Sequence, residues 1–205
     1  MPAWWSGDVA ELLASEPELI VQRLAVRLVE THFLNRKTQL HAWRQQIALL
    51  QIALADMAGT WRVLFEYPLL RLGRRIDTVL LTDSAILVLE FKVGATTVSA
   101  IDRQQTEDYA LDLFDFHAES RAHPIIPILV ATQANAPALL WPLLWHGVTP
   151  VFAASARTLG QTLREIAARI PTPAQPLVVR AWDGPNGPPV PSPARISCLL
   201  THTVW

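Results

Sequence analysis

Two charged residues interrupt an otherwise apolar run of the chain. Glu90 and Lys92 stand within the segment AILVLEFKV at positions 85–93. Because a buried strand seldom holds charged side chains unless they are paired or functional, this pair marks a candidate site. One position separates the two residues, which puts both side chains on the same face of a strand. A lysine there could position a water molecule or stabilise the negative charge of a phosphoryl transition state.

A third charged residue, Asp77, interrupts the apolar segment RIDTVLL at positions 75–81. If this segment pairs with the next one through the short turn TDS at 82–84, Asp77 approaches Glu90 across the sheet. Two carboxylates that converge in this way would bind a hard divalent cation, and Mg²⁺ is the natural choice. Such a metal polarises a phosphodiester and lowers the pKa of its bound water.

Gln105 and Tyr109 lie four residues apart in the next predicted helix, and therefore on one helix face. Gln105 could hydrogen-bond a lysine-bound water or a phosphate, and Tyr109 could support the site or stack against it. A plainer interpretation is also open for each residue. Gln105 could be an exposed helix residue, and the spacing of Tyr109 with Leu113 and Phe116 is equally typical of a core face.

The charged residues of the candidate site also have a plainer interpretation. Glu90 and Lys92 could form a cross-strand ion pair at the edge of a sheet. Asp77 could pair with Arg74 or Arg75, which lie beside it in the sequence. These alternatives require no chemistry, so a D…E-x-K pattern alone is weak evidence for an enzyme.

In this order and on these predicted elements, Asp77, Glu90-x-Lys92 and Gln105-x-x-x-Tyr109 resemble the motif of the PD-(D/E)XK nuclease superfamily. The glutamine and tyrosine element resembles that of its RecB-like branch. The resemblance implies a Mg²⁺- or Mn²⁺-dependent phosphodiesterase that acts on DNA. It further implies that Asp77 and Glu90 are metal ligands and that Lys92 is the catalytic lysine. Gln105 and Tyr109 would be the pair that supports them.

A wider stretch of the chain, about residues 39–132, carries a second resemblance. The segments LEFKVGATTV, RQQTEDYALDLFDFH and IIPILVAT are similar to the nuclease-like domain that precedes the motor in Schlafen group 3-like DNA/RNA helicases. This similarity implies DNA as the partner and leaves open an association with a helicase or ATPase motor. No Walker A sequence GxxxxGK occurs in the chain, so the chain itself contains no such motor.

The chain departs from the family pattern in two places. Ile76 stands where the motif has proline, and no helical glutamate is placed securely upstream of Asp77. Glu66 on the preceding strand, or Glu30 from a helix, could approach the metal instead. These departures leave open a catalytically inactive, nuclease-like module that binds nucleic acid or a partner such as a helicase. A purely structural domain, with the apolar segment 138–145 as its interface, is a third interpretation.

Four arginines lie near the candidate site in the sequence, namely Arg71, Arg74, Arg75 and Arg103. They could form a basic rim that holds phosphates beside the metal. A solvated turn explains the same residues equally well. The formal net charge of −1 argues against a nucleic-acid-coating tail, although a local basic patch can operate within a neutral total.

The helices that must position these residues can be predicted from hydrophobic periodicity. Apolar residues at steps of three and four predict a helix over about 18–33. The same spacing predicts a second helix, which begins at an N-cap at Thr38 and stops at Gly59. A third helix runs from a capping-box spacing at Ser99 and Asp102 to about residue 120.

Strands are predicted between and after these helices. Six segments have the alternation or the continuous apolar character of strands: 61–67, 75–81, 85–93, 125–131, 149–153 and 176–181. The first three form a meander, and a further helix is expected over 158–170. This order predicts a mixed α/β (α+β) fold with a restriction-endonuclease-like core, in which helices flank a central mixed β-sheet.

We expect one core with two appended segments. Residues 1–58 would be a helical segment packed on the core, 59–182 the nuclease-like core, and 183–205 a proline-rich tail or linker. The single cysteine cannot form an internal disulfide, and the N-terminal sequence lacks a basic region followed by an apolar one. We therefore expect a cytoplasmic protein that has no membrane-spanning segment.

Overall fold

The fold is built on a six-stranded mixed β-sheet with helices on both faces, which confirms the predicted α/β class and fits a restriction-endonuclease-like layout. The computed structural model describes residues 3–30, 36–57, 59–69, 72–135, 141, 146–171, 177–179 and 182, with the backbone alone at 29, 30 and 36. The strands are β1 (Trp5–Asp8), β2 (Arg62–Leu69), β3 (Arg74–Leu81), β4 (Ile86–Lys92), β5 (Ile125–Ala131) and β6 (Phe152–Ala154). The helices are α1 (Val9–Ala14), α2 (Pro17–Glu30), α3 (Arg36–Leu54), α4 (Ala100–Phe116) and α5 (Leu159–Arg169), with a short 3-10 helix at Ala118–Ser120.

The strands lie in the sheet in the order in which they occur in the chain. Strands β1 to β4 form an antiparallel meander, whereas β4, β5 and β6 run parallel. The predicted TDS turn closes the β3–β4 hairpin, where Thr82 Oγ1 accepts hydrogen bonds from the N–H groups of Ser84 and Ala85 at 3.2 and 2.9 Å. Strand β4 therefore lies inside the sheet, between the strand of Asp77 and a parallel neighbour.

Two hydrophobic cores lie on opposite faces of the sheet. Helices α1, α2, α3 and α5 cover the larger core, and α4 covers the smaller one. The side chains of β4 alternate between them, with Leu87 and Leu89 in the larger core and Ile86 and Val88 in the smaller one. Because β4 is buried on both faces, its sequence is an almost continuous apolar run.

Helix α3 confirms the predicted apolar periodicity, since Trp43, Ile47 and Leu50 are all buried in the larger core. Thr38 lies inside this helix, so the prediction that Thr38 caps its N-terminus is wrong. The arginine and lysine before Thr38 are good helix formers, which explains why the helix includes them. The helix ends at Leu54, earlier than predicted.

Residues 1–58 contain more than helices, because β1 pairs with β2 at the edge of the sheet and α1 follows it directly. The sequence did not predict these two elements, since segments of four and six residues are too short to show a period. Trp5 is buried against Phe65, with ring centroids 5.4 Å apart. Asp8 caps α1 through a capping box with Glu11, at 2.7 and 2.8 Å. The N-terminal segment is therefore part of the sheet.

The predicted strands 61–67, 75–81, 85–93 and 125–131 and the helix over 158–170 are confirmed with small shifts at their ends, and the strand predicted over 149–153 is displaced to β6. Ser99 caps α4 as predicted, since its Oγ accepts a hydrogen bond from the N–H of Asp102 at 3.0 Å. The described residues exclude the tail 183–205 and all of 138–145 except Trp141. Of the predicted last strand only 177–179 are described, and they are not in a strand. No helix within the described ranges is long and apolar enough to cross a membrane.

Leu87→Ala tests the double burial of β4. Leu87 is 0% exposed, and its truncation should lower the free energy of unfolding by about 2–5 kcal/mol because it leaves a cavity in a packed core. Ile52→Ala, at a helix position that is 75% exposed, should change the free energy by less than about 0.5 kcal/mol. Urea denaturation followed by tryptophan fluorescence measures both variants. Equal losses in the two would contradict the burial of β4.

Candidate active site

Three carboxylates lie at one level of the sheet, on three neighbouring strands. The β2–β3 register places Glu66 level with Asp77, and the β3–β4 register places Asp77 level with Glu90. The structure thus brings Asp77 towards Glu90 across the sheet, as predicted. Because β5 flanks β4 on its other side, the row lies within the sheet and not at an outer edge.

The regular ladder between β3 and β4 stops at this row. Its last pair is Thr78 with Leu89. Beyond that pair, the N–H of Phe91 donates to Oδ2 of Asp77 at 2.8 Å, so a side-chain carboxylate takes the place of a backbone acceptor. Asp77 is therefore fixed by the backbone of the strand that carries Glu90.

Glu66 has a left-handed backbone conformation, with a φ of 53°. The side-chain alternation of β2 changes phase there, since Phe65 joins the larger core and Tyr67 the smaller one. The Glu66 carboxylate accepts hydrogen bonds from Trp43 Nε1 and Arg75 Nε, each at 2.7 Å. Its contacts are thus with α3 and β3, and its role as a metal ligand stays a prediction.

Arg75 pairs with Glu66. Its guanidinium pairs with the Glu66 carboxylate at 2.7 Å and lies over the ring of Trp4, 4.2 Å from the ring centroid. Trp4 in turn packs edge-on against Trp43, with centroids 6.1 Å apart. The alternative pairing of Arg75 with Asp77 is therefore replaced by a pairing with Glu66.

The carboxylates of Asp77 and Glu90 occupy an unfavourable environment for negative charge. Burial raises the pKa of Asp77 well above its usual range, and the negative charges of Glu90 and Glu66 add to this shift. Burial also raises the pKa of Glu90 to about 7, although the attraction of Lys92 opposes it. Because neighbouring buried carboxylates resist ionising together, the site favours the binding of a cation.

Lys92 links three polar side chains. Its Nζ lies 3.1 Å from Glu90 Oε1, 3.1 Å from Gln105 Oε1 and 3.2 Å from Asp102 Oδ1. Burial lowers the pKa of Lys92, but the attraction of Glu90 and the hydrogen bonds to Glu90 and Asp102 outweigh that effect, so the pKa is raised. The pair with Glu90 lies within one strand inside the sheet, so the alternative of a cross-strand pair at a sheet edge is wrong.

Gln105 connects α4 to this charged pair. Its Nε2 donates to Glu90 Oε1 at 3.0 Å and to Tyr109 OH at 2.6 Å, while its Oε1 accepts from Lys92. The alternative that Gln105 is merely an exposed helix residue is therefore wrong. Tyr109 is 3% exposed and packs in the smaller core. The core interpretation of Tyr109 is confirmed, its hydroxyl contacts Gln105, and its role in supporting the site stays a prediction.

Gln46 on α3 is a residue of this site that the sequence analysis missed. Its Nε2 donates to Asp77 Oδ2 at 3.3 Å, and the residue is 3% exposed. One signal was present in the sequence. Gln46 shares the apolar helix face of Trp43, Ile47 and Leu50, and a polar side chain on a buried face needs a partner. Its partner is an acid of the candidate site.

The oxygen atoms of this site fit a divalent metal such as Mg²⁺ or Mn²⁺. Glu90 Oε2 and Gln46 Oε1 are both buried without a hydrogen-bond partner in the described part of the chain. Together with Asp77 they offer carboxylate and amide oxygens, which hard cations prefer. No group of three or more His, Cys, Asp or Glu side chains within the described residues is placed to hold a metal. A cation would therefore depend on these three residues and on oxygens of water or substrate.

The other arginines of the predicted basic rim have different surroundings. Arg103 donates to the backbone carbonyl of Val151 at 2.7 Å. Arg74 is exposed and lines a groove beside α4. Arg71 lies outside the described residues. Phosphate binding by these arginines stays a prediction, and Arg74 has the most accessible position for it among the described ones.

Comparison of the chain with protein-family models, with curated proteins and with solved structures gave no match in any of the three sets.

The pH dependence of stability tests the burial of Glu90. Its carboxyl has a pKa of about 7 in the folded protein against an ordinary value of 4.5, so the folded state binds more protons between these values. The contribution of Glu90 to the free energy of unfolding therefore falls as the pH rises from 4.5 to 7, and is level above 7. Glu90→Gln removes this loss.

In EDTA, the stability of Glu90→Gln relative to wild type should therefore grow through this interval. Urea denaturation at several pH values measures the difference between the two proteins, which removes the contributions that they share. Parallel profiles for the two proteins would show that Glu90 is not buried as described.

Gln46→Leu tests the residue that the sequence analysis missed. The variant should bind Mn²⁺ about tenfold more weakly, since it removes a buried amide that contacts Asp77. Gln45→Leu is the matched control, because Gln45 is the half-buried neighbour on the same helix and contacts His41 instead. Isothermal titration with Mn²⁺ compares the two. Equal affinities would remove Gln46 from the site.

Proposed function

We propose that this chain is a divalent-metal-dependent nuclease domain of the PD-(D/E)XK type that hydrolyses phosphodiester bonds of DNA. The observation that carries the proposal is the half-buried Asp77 near the buried Glu90 and Lys92, at the point where the β3–β4 ladder stops. Two carboxylates for a metal and one cation for the phosphate are the groups that this hydrolysis uses. Their order along two strands and a helix agrees with the resemblance seen in the sequence.

Asp77 and Glu90 would hold Mg²⁺ or Mn²⁺, with the amide of Gln46 as a further oxygen donor. When bound, the metal would polarise the phosphodiester and lower the pKa of a bound water molecule. Both carboxylates would then ionise at neutral pH, since the positive charge offsets the burial and repulsion that raise their pKa values.

Lys92 would stabilise negative charge on the phosphate during hydrolysis. Its raised pKa keeps the amine protonated at neutral pH, which suits a cation and not a general base. Asp102 at 3.2 Å and Gln105 at 3.1 Å hold the amine in place before substrate arrives. Such pre-positioning means that little reorganisation is needed when charge develops.

Gln105 and Tyr109 would act as positioning residues. The Tyr109 hydroxyl accepts a hydrogen bond from Gln105 Nε2, which leaves Gln105 Oε1 turned to Lys92. The same Nε2 donates to Glu90, so one amide fixes both members of the ion pair. A change at Gln105 would therefore alter the placement of Glu90 and Lys92 without removing either charge.

DNA as the substrate, and a helicase or ATPase motor as a partner, follow from the resemblance alone. The chain has no Walker A sequence, so strand separation would come from a separate motor. A cytoplasmic location agrees with a single cysteine that has no partner within the chain for a disulfide.

A second candidate function is a nuclease-like module that binds nucleic acid without cutting it. Its support is the position of Glu66, which is held by Trp43 and Arg75 and does not join the carboxylate pair. The described residues accordingly contain no ready group of three acids for a metal. A module of this kind would bind DNA equally well in EDTA and in Mn²⁺.

Lys92→Ala tests the nuclease directly. The variant should cut DNA at least about a hundredfold more slowly in Mn²⁺, because it loses the cation that stabilises the transition state. Lys37→Ala is the matched control, since Lys37 is the only other lysine of the chain and is exposed on α3. Cleavage of labelled single-stranded and duplex DNA, in Mn²⁺ and in EDTA, gives the rates.

Thermal melting checks that both lysine variants are folded. Cutting by Lys92→Ala at the rate of Lys37→Ala would contradict the proposed role of Lys92. Wild-type protein that binds DNA in EDTA but never cuts it would favour the binding module instead.

A further inference from the structure

An open groove lies beside the candidate active site, along the first half of α4. It has a volume of about 450 Å³ and is lined by Arg74, Ala100, Ile101, Gln104, Gln105 and Asp108. Gln105 belongs to both places, since it lines the groove and hydrogen-bonds Lys92 and Glu90. If the carboxylate pair holds one nucleotide of a DNA strand, the neighbouring nucleotide of that DNA strand would therefore lie in this groove.

The groove presents an apolar side chain to solvent at its edge. Ile101 is 81% exposed, the largest value for a large apolar side chain among the described residues. It lies in the first turn of α4, where an exposed isoleucine adds nothing to the core. An apolar surface exposed to solvent is stabilised by contact with another apolar surface, and the flat face of a nucleobase provides one.

The charges of the groove suit a base better than a run of phosphates. Arg74 supplies one positive charge, and Asp108 supplies one negative charge that is held by Gln104 at 2.9 Å. Consecutive phosphates would be repelled at Asp108. The edge of a base, in contrast, offers donors to a carboxylate and acceptors to an amide.

We propose that this groove is a subsite for one unpaired nucleotide of the DNA strand that is cut. The inference rests on the proposed nuclease function and names its substrate as single-stranded. Ile101 contacts the face of the base, Gln104 and Asp108 contact its edge, and Arg74 contacts the adjoining phosphate. Base pairing and stacking hide these faces and edges in a duplex, so the subsite selects unpaired DNA.

Ile101→Glu tests the subsite against Ile52→Glu. Both isoleucines lie on helices and are exposed by 81% and 75%, but only Ile101 lines the groove. Fluorescence anisotropy with labelled single-stranded and duplex oligonucleotides, in Ca²⁺ so that bound DNA is not cut, gives the Kd values. Ile101→Glu should bind single-stranded DNA about tenfold more weakly than wild type, because it loses the apolar contact and adds a negative charge. Ile52→Glu should bind as wild type does.

Arg74→Gln tests the phosphate contact separately. Its affinity for single-stranded DNA should fall, and the salt dependence of binding should decrease by about one phosphate contact, since one counterion fewer is released. A salt dependence equal to that of wild type would remove Arg74 from the subsite.

Cleavage assays on the same oligonucleotides separate this inference from the proposed function. If wild type cuts DNA, and Ile101→Glu binds single strands as well as Ile52→Glu does, the subsite is overturned and the nuclease stands. If no protein cuts, but Ile101→Glu alone loses affinity for single strands, the subsite stands in a binding module. Wild-type protein that binds duplex as tightly as single-stranded DNA would overturn the proposed selectivity.

Discussion

The rest of this structure depends on two carboxylates that are held near each other, the half-buried Asp77 and the buried Glu90. Burial raises the pKa values of Asp77 and Glu90, and the charge of Glu90 raises that of Asp77 further. Buried charges are destabilising unless donors surround them, and here the N–H of Phe91 and the amine of Lys92 supply those donors. A chain selected only for stability would place apolar side chains at both positions, because well-packed apolar residues often replace buried ions without loss. The presence of both acids at these positions therefore argues for a ligand that they bind.

Two helices on opposite faces of the sheet each supply one amide to this pair. Gln46 of α3 donates to Asp77, and Gln105 of α4 donates to Glu90. Each helix is fixed by its own hydrophobic core, α3 by the larger and α4 by the smaller. Because each carboxylate takes its orientation from a different helix, the geometry of the pair depends on both cores at once. Strands β3 and β4 fix only the backbone of the two acids. The two amides are fixed by helices α3 and α4, which pack on opposite faces of the six-stranded sheet.

Most of the strands and helices around the site can be predicted from the sequence. Burial on both faces makes β4 an almost unbroken apolar run, in which Glu90 and Lys92 stand out. Asp77 stands out in β3 for the same reason. Gln46 could not be found in this way, since glutamine is common on exposed helix faces and only the packing of α3 shows that its position is buried. The conformation of Glu66 also had no local signal, because it follows from contacts with residues far along the chain. Short elements such as β1 have too few residues for any periodicity.

The position of Glu66 can be explained by comparing two energies. At an effective dielectric constant of about 20, two unit charges about 4 Å apart repel by about 4 kcal/mol, so a third carboxylate at the pair would be strongly unfavourable. A non-glycine residue in a sparsely populated backbone region costs about 1–3 kcal/mol. The left-handed conformation of Glu66 therefore costs less free energy than the repulsion between two carboxylates would. The hydrogen bonds of Glu66 with Arg75 and Trp43 offset part of that cost. Three acids can therefore lie in one row of the sheet. Arg75 neutralises Glu66, and Lys92 and the metal of the proposed reaction would offset the charges of Asp77 and Glu90.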